Sequence, residues 1–227
     1  MKRAYLGLIF LATCVSAVAA ILFARNHIAP APEEHRRTRQ LILYYTLSRV
    51  DDPIIVLGDS IVEGSTLPRQ LCGHPVVDAG LNGASTASDL GSWLAQALGN
   101  KRAASIIVAL GINDALVPAP TSKQAFEDRY AALLRELSKL TARLFVLGIP
   151  AVEARQRMTA EMKNEVMATI EGFNSVLPRL AAQANATFLT LPEMPSPHTI
   201  DGVHLNADGY RVWDKAITQG VAMTCGQ

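Results

Sequence analysis

The chain has 227 residues, of which 49% are hydrophobic and 6% aromatic, and its formal net charge is +1. This balance of charges excludes the dominant basic face that nucleic-acid binding needs, so we expect no nucleic-acid partner. The apolar content excludes a disordered chain, and the length suits one domain with a short addition.

The first segment is long and apolar enough to cross a membrane. Lys2 and Arg3 precede an uncharged stretch from Ala4 to Ala24, which as a helix would measure ~31 Å, about the thickness of a bilayer core. We predict a membrane anchor or signal segment in residues 1–25. Lys2 and Arg3 favour an N-terminus inside the cell, although arginines from Arg25 onward weaken this bias.

Two alternatives stay open for this segment. The small residues Val18-Ala19-Ala20 could form the cleavage site of a signal peptide, but the apolar run continues beyond them. Leu11-Ala12-Thr13-Cys14 resembles a bacterial lipoprotein box, in which Thr is a poor residue before the cysteine. The length of the apolar run favours an uncleaved transmembrane helix.

Residues 26–50 are predicted to be a juxtamembrane linker. Ala29-Pro30-Ala31-Pro32 is a stiff, extended spacer. Glu33 to Val50 is charged first and apolar later, which is typical of an amphipathic helix. This helix could lie at the membrane surface or pack on the following domain, and the pattern fits both.

Residues 51–227 alternate short apolar runs with helical patterns. The predicted strands are Pro53–Leu57, Pro75–Ala79, Ser105–Leu110, Leu144–Gly148 and Thr187–Leu191. The predicted helices are Ile61–Leu71, Ala87–Leu98, Lys123–Leu140, Ala154–Ala184 and Ala207–Ala222. This alternation favours parallel pairing through right-handed crossovers. We therefore expect an α/β fold, a three-layer α/β/α sandwich with five parallel strands.

Chemically useful residues follow the carboxyl ends of the first three predicted strands, where open parallel sheets bind ligands. Gly58-Asp59-Ser60 follows the first strand, Asp78 to Gly83 the second, and Gly111-Ile112-Asn113-Asp114 the third. Taken singly, each has a structural explanation as a helix cap or an ordinary loop. Their joint occurrence at one edge of the sheet is what indicates a site.

A general base is sought among the 5 His of the chain. Asp201 precedes His204 by three residues, so its carboxylate can hold the tautomer of the imidazole and support its charged form. His198 lies in a Pro-rich stretch and is expected to be a loop residue that lines the pocket. The remaining histidines lie in the juxtamembrane segment or at the opposite edge of the sheet: His27, His35 and His74.

Together these blocks resemble the SGNH/GDSL hydrolases, a family of lipases and esterases. The blocks are Gly58-Asp59-Ser60, Gly83, Gly111-x-Asn113-Asp114 and Asp201-x-x-His204, within a match from Pro53 to Trp213. The resemblance implies a flavodoxin-like sheet with strand order 2-1-3-4-5. One departure is Asp78, where many members of the family have Asn.

The resemblance also implies the roles of individual residues. Ser60 would be the nucleophile, His204 the base and Asp201 the residue that orients His204. The oxyanion hole would consist of the N–H groups of Ser60 and Gly83 and the side chain of Asn113. This chemistry requires no metal or other cofactor. The absence of a Gly-x-Ser-x-Gly elbow around Ser60 argues against an α/β-hydrolase fold.

The predicted function is therefore that of a serine esterase acting through an acyl-enzyme at the outer face of the membrane. The loops Ala115–Ser122 and Pro150–Arg157 are expected to wall the pocket, and their small apolar residues favour a short acyl group such as acetyl. The substrate could be a small ester, a lipid or an acetylated glycan. Two alternatives stay open: an O-acyltransferase on a cell-surface polysaccharide, and a catalytically silent binding module.

The cysteines bear on the cellular compartment. Cys14 lies in the apolar segment, whereas Cys72 follows the first predicted helix of the domain and Cys225 the last. Those helices are expected to run parallel on one face of the sheet, so we hypothesise a Cys72–Cys225 disulfide, the alternative being two free thiols. A disulfide would favour an oxidising compartment such as a bacterial periplasm or the cell exterior.

Overall fold

The computed structural model describes residues 32–155, 158–223 and 225. Within these residues, no helix combines the length and the apolar character that crossing a bilayer requires. The anchor predicted in residues 1–25 lies outside the described part of the chain. The chain divides into two compact units, with the division between Arg39 and Gln40.

The described residues form a six-stranded sheet and eight helices. The strands are β1 Ile54–Gly58, β2 Gln70–Leu71, β3 His74–Gly80, β4 Ser105–Ala109, β5 Leu144–Leu147 and β6 Thr187–Leu189. The helices are α1 Pro32–Ser48, α2 Ser60–Glu63, α3 Leu90–Leu98, α4 Ile112–Ala115, α5 Lys123–Leu137, α6 Ala160–Asn174, α7 Leu177–Gln183 and α8 Ala207–Ala222.

The sheet has the order β2-β3-β1-β4-β5-β6, and its last five strands are parallel. Since β3 is the second predicted strand, this is the predicted order 2-1-3-4-5. Every residue of β1 and β4 is buried, which explains why both strands are continuous apolar runs. The register aligns Gly58 with Gly80 on one side and with Ala109 on the other. The loops after β1, β3 and β4 therefore leave the sheet at the same level.

The sheet is mixed, because β2 pairs antiparallel with β3. This strand was not predicted, and the prediction of one helix over Ile61–Leu71 is wrong. Helix α2 ends at Glu63 and is capped by Gly64, and Pro68 then favours an extended chain before it. Gly73 has a φ of 82°, which lets the chain turn tightly from β2 into β3.

The single helix predicted over Ala154–Ala184 is also wrong, because the structure contains two helices there. Helix α6 begins only after Thr159, whose hydroxyl accepts a hydrogen bond from Met162 N. Pro178 stands in the first turn of α7, where its missing N–H costs nothing. The same proline inside one long helix would have removed a hydrogen bond and clashed with the preceding turn.

From Gln40 onward, helix α1 packs on the domain that contains the sheet. Leu43 and Leu47 are buried in the core, and Gln40 Nε2 donates to Trp93 O at 3.0 Å. Lys101 Nζ donates to the carbonyl of Leu47 at 3.0 Å, next to the C-terminal end of the helix. Of the two placements that the sequence left open, packing on the domain is thus observed for one face of this helix.

Candidate active site

Ser60, His204 and Asp201 form a continuous hydrogen-bonded row. Ser60 Oγ lies 3.1 Å from His204 Nε2, and His204 Nδ1 lies 2.8 Å from Asp201 Oδ2. The serine and the histidine are 144 residues apart in the chain. The fold thus brings the three predicted residues together at the carboxyl edge of the parallel strands.

Ser60 opens helix α2 directly after β1, in a turn that is closely packed. A Cβ on Gly58 would lie 2.1 Å from Ala109 O, so the turn needs glycine at this position. Asp59 caps the helix by accepting a hydrogen bond from Ile61 N at 2.9 Å. From α8, Tyr210 donates its hydroxyl to Ile61 O at 2.9 Å. The hydrogen bonds of Asp59 and Tyr210 to the backbone of Ile61 thus fix the helical turn that carries Ser60.

The carboxylate of Asp201 is bound by three donors. Its Oδ1 accepts the amides of Val203 at 3.0 Å and His204 at 2.9 Å, and its Oδ2 faces the imidazole. Burial raises the pKa of Asp201, but the hydrogen bonds outweigh burial and lower the pKa to about 2. A charged carboxylate only accepts hydrogen bonds. It therefore keeps the proton on Nδ1 and leaves Nε2 free to accept the proton of Ser60.

The loop after β3 and the loop after β4 are hydrogen-bonded to each other beside Ser60. Leu81 N donates to Gly58 O at 3.0 Å, and Ala84 N donates to Leu81 O at 3.0 Å. Asn113 Nδ2 donates to Ala84 O at 2.8 Å, and its second N–H can serve a substrate oxygen. Gly83 has a φ of 76° and open space where a Cβ would be, so this position needs glycine for its backbone conformation.

Two acidic residues of these blocks have structural roles that the sequence analysis did not predict. Asp114 is buried and accepts hydrogen bonds from Thr86 N at 2.9 Å and Thr121 Oγ1 at 3.2 Å. It thereby ties the segment that carries Asn113 to the loop after β3. Asp59 is also buried, and burial raises its pKa to about 7, although Ile61 N and His204 lower the pKa in part.

Glu153 is a functional candidate that the sequence analysis missed. Its carboxylate accepts hydrogen bonds from Ser196 Oγ at 2.6 Å, His198 N at 3.0 Å, and Thr199 N and Oγ1 at 2.8 and 2.6 Å. Its backbone N–H donates to Gly202 O at 2.9 Å. Burial raises the pKa of Glu153, but these hydrogen bonds lower it to about 2. A single acid directly after the apolar run from Ile149 to Val152 is the signal in the sequence, but its partners lie more than forty residues away.

His198 does not belong to the hydrogen-bonded row of Ser60, His204 and Asp201. The ring is buried, with Nε2 at 3.2 Å from Ala151 O and Nδ1 at 3.4 Å from Glu153 Oε1. His198 lines a cavity, as expected from the sequence. His74 lies at the start of β3, at the edge of the sheet opposite Ser60. Its Nδ1 is 2.8 Å from Asp52 O.

The cavity has a volume of about 920 Å³ and lies between the loop after β5 and the segment after β6. Pro150 to Arg155 form one wall, whereas Ala115–Ser122 do not line it; Gln156 and Arg157 lie outside the described residues. The apolar part of the lining includes Ile149, Met167, Ile170, Leu191 and Met194. The charged part consists of Glu153, Arg155, Lys163, Glu171 and Glu193. The cavity thus combines an apolar surface with charges of both signs.

Cys72 and Cys225 are joined by a disulfide, with their Cα atoms 5.7 Å apart. The two cysteines do not follow parallel helices as predicted, since α2 is a single turn and Cys72 follows β2 instead. The bond arises because α8 contacts β2, which brings the two cysteines together from 153 residues apart. Cys14 lies outside the described residues.

Comparisons with known proteins agree with this fold. Residues 56–212 match the family model of the GDSL-like Lipase/Acylhydrolase family. A Streptococcus pneumonia structure, provisionally described as a platelet activating factor, has a TM-score of 0.67 at 22% identity, covering 90% of this chain and 99% of its own. A search of curated proteins found no match.

Two further solved structures with similar folds carry esterase or lipase names. A catalytic mutant of an acetylxylan esterase from Geobacillus stearothermophilus has a TM-score of 0.59 at 15% identity, covering 75% of this chain and 94% of its own. A GDSL-like lipase from Bacteroides thetaiotaomicron has a TM-score of 0.61 at 13% identity, covering 81% and 97%. At such identities these likenesses concern the fold.

Proposed function

The chain belongs to the GDSL-like lipase/acylhydrolase family and is a carboxylic ester hydrolase, and we propose that Ser60, His204 and Asp201 are its catalytic triad. The observation that carries this proposal is the unbroken row of contacts, 3.1 Å from Ser60 Oγ to His204 Nε2 and 2.8 Å from His204 Nδ1 to Asp201 Oδ2. Both distances lie in the range in which protons are transferred or held.

In the first half-reaction, Ser60 Oγ attacks the carbonyl carbon of the ester while His204 Nε2 takes its proton. The negative charge that develops on the carbonyl oxygen is bound by the N–H groups of Ser60 and Gly83 and by Asn113 Nδ2. The imidazolium then gives its proton to the departing alkoxide, which leaves as an alcohol. Asp201 stabilises the imidazolium throughout, because its low pKa keeps it charged.

In the second half-reaction, water replaces the alcohol. The water oxygen attacks the acyl carbon while His204 takes a proton from the water. The N–H groups of Ser60 and Gly83 and Asn113 Nδ2 then bind the second oxyanion. When the intermediate collapses, the bond to Ser60 Oγ breaks and His204 returns the proton to the serine. The carboxylic acid leaves, and the site is restored without any cofactor.

The proposed substrate has a short acyl group, such as acetyl, on a larger alcohol. Close packing supports the short acyl group, because Asp59 and Ile61, the chain neighbours of Ser60, border a space of only about 10 Å³. The large cavity supports the larger alcohol. Its lining does not include the three triad residues, but Glu153 in its wall donates its backbone N–H to Gly202 O in the loop of the proposed base. Its mixed lining suits an alcohol with both apolar and charged or hydroxylated parts.

The proposed location is the outer face of a membrane, with residues 1–25 as the anchor. The uncharged run from Ala4 to Ala24 and the preceding Lys2 and Arg3 support this location. The disulfide between Cys72 and Cys225 supports an oxidising compartment.

The proposed function is tested by labelling the full chain with a fluorophosphonate and by measuring hydrolysis of esters with acyl chains of two to eight carbons. We expect labelling and hydrolysis in the wild type and in a Ser92→Ala control, which alters a hydroxyl on α3, and neither in Ser60→Ala. The ratio kcat/KM should be highest for the acetyl ester. Persistent labelling of Ser60→Ala would exclude Ser60 as the nucleophile.

A further inference from the structure

Helix α1 carries a cluster of exposed large hydrophobic side chains. Leu41, Ile42, Tyr44 and Tyr45, here called the outer face of α1, are each between 49% and 56% exposed. In the part of the chain that the structure describes, only Ile200 and Met223 are other large hydrophobic residues with such exposure. Single exposed hydrophobic residues are ordinary, but four within five positions form a contiguous patch.

The outer face lies opposite the face by which α1 packs on the domain. At 100° per residue, Leu41 and Tyr45 fall on the side of the helix opposite Leu43 and Leu47, which are buried. A helix at a protein–water boundary normally presents polar residues outward. From Leu41 to Leu47, helix α1 thus carries apolar side chains on both sides, and only the inner side is covered by the domain.

We propose that the outer face of α1 docks on the surface of a lipid bilayer, the same bilayer that the N-terminal apolar segment enters. This inference rests on the proposed membrane location, and it adds which surface of the domain meets the lipid. The bilayer is thus the occupant of this patch, rather than a second copy of the chain or another protein.

The length of chain between the apolar segment and the patch supports a bilayer as the partner. Pro32 is eight positions after Ala24, a span of at most ~28 Å. Leu41 lies nine residues further along a helix, which adds only ~14 Å. A tether this short keeps the patch at high effective concentration near the membrane, so even a weakly apolar surface would remain docked.

The residue types also match a membrane interface. Tyrosine is enriched at the boundary between lipid and water, since its ring is apolar and its hydroxyl polar. Leu41 and Ile42 can enter the acyl region beneath the headgroups. Arg37 and Arg49, both exposed, flank the patch along the chain and would be attracted to anionic headgroups.

The test uses the full chain, with Cys14→Ser to remove a third cysteine, reconstituted in vesicles of phosphatidylcholine and phosphatidylglycerol. A single cysteine at Tyr45→Cys carries an NBD fluorophore, and the matched control carries it at Asn164→Cys, an exposed position on α6. Lipids with a spin label near the headgroup should quench the fluorophore at position 45 at least threefold more than at position 164.

Three further readings separate the possible outcomes. Flotation with the vesicles reports on the anchor, and hydrolysis of a soluble acetyl ester reports on the proposed catalytic function. Equal quenching at positions 45 and 164 in floating, active protein overturns the docking surface and leaves the catalytic proposal intact. Protein that does not float overturns the anchor and the docking surface together. Disulfide-linked dimers of the unlabelled Tyr45→Cys protein would assign the face to a second copy.

Discussion

The ring and the backbone amide of His204 both donate to the carboxylate of Asp201. Oδ2 accepts from Nδ1 at 2.8 Å, while Oδ1 accepts from the amide at 2.9 Å. One carboxylate therefore holds both the orientation of the imidazole and the turn from which it projects. The arrangement is local in sequence, since Asp201 and His204 are three positions apart. It presents Nε2 to a serine that lies 144 positions away in the chain and 3.1 Å away in space.

Replacing Asp201 by Asn should lower kcat by about 10³–10⁴-fold. The amide of Asn can donate to Nδ1, which favours the tautomer with its proton on Nε2 and removes the acceptor for the proton of Ser60. Steady-state kinetics on an acetyl ester measures the loss, and circular dichroism checks that the fold is kept. A folded Asp201→Asn enzyme with more than a tenth of the wild-type kcat would contradict this role.

Replacing Asn113 by Ala should lower kcat by about 10²–10³-fold with little change in KM, because an oxyanion donor acts mainly in the transition state. Asn113→Asp should do no better, since a charged carboxylate cannot donate. Asn164→Ala, on the exposed side of α6, is the control and should keep full activity. A rise in KM at unchanged kcat would instead show that Asn113 binds the substrate as strongly as the transition state.

Replacing Glu153 by Gln should lower kcat about tenfold or more and destabilise the protein at neutral pH. Glu153 acts as a positioning residue, because its carboxylate and its amide hold the segment from Ser196 to Gly202 that leads to His204. Glutamine keeps the size but offers one acceptor oxygen in place of two. Glu165→Gln, at an exposed position on α6, is the matched control.

The same variant has a distinct pH dependence. The pKa of Glu153 is lowered from 4.5 to about 2 on folding, so its stabilising effect is complete above about pH 4.5 and is lost as the pH falls towards 2. Thermal unfolding between pH 6 and pH 2.5 should therefore show a smaller loss of Tm for Glu153→Gln than for the wild type. If the plots of Tm against pH were parallel for the two proteins, the charge of this carboxylate would not contribute to stability.

Replacing Asp59 by Asn should raise Tm at pH 8 and leave it nearly unchanged at pH 4. Burial raises the pKa of Asp59 from 3.8 to about 7, so the folded protein loses stability as the pH rises from about 4 through 7. The rise corresponds to at most about 4 kcal/mol. Asn caps a helix as well as Asp does, so the hydrogen bond to Ile61 N can persist. An equal shift of Tm at both pH values would exclude ionisation as the cause.

Replacing both Cys72 and Cys225 by Ser should lower the free energy of unfolding by up to about 5 kcal/mol, because the disulfide closes a long loop in the unfolded chain. Differential scanning calorimetry with and without a reductant measures the effect. The wild-type Tm should fall on reduction, and the double variant should not respond. The prediction would be contradicted if the wild-type Tm were unchanged by the reductant while mass spectrometry showed that the disulfide had been reduced.

Several features of the fold were predictable because short-range patterns determine them. The predicted helix Ala207–Ala222 has the bounds observed for α8, since Asn206 caps its start with a side chain adjacent in sequence. Likewise, the apolar runs of β1 and β4 identify strands buried on both faces. The strand β2 escaped prediction, because a two-residue edge strand has too little pattern and depends on its pairing with β3.

By itself, the sequence determined the order of the functional blocks, the turn that joins Asp201 to His204 and the class of chemistry these residues can perform. Only the tertiary structure decided that Glu153 supports the loop of His204 and that Cys72 meets α8. It also decided that Leu41 and Tyr45 stay exposed while Leu43 and Leu47 are buried. Local patterns suffice for the first group because the interacting atoms are a few residues apart. The second group depends on contacts between distant segments, whose positions are set by packing of the whole domain.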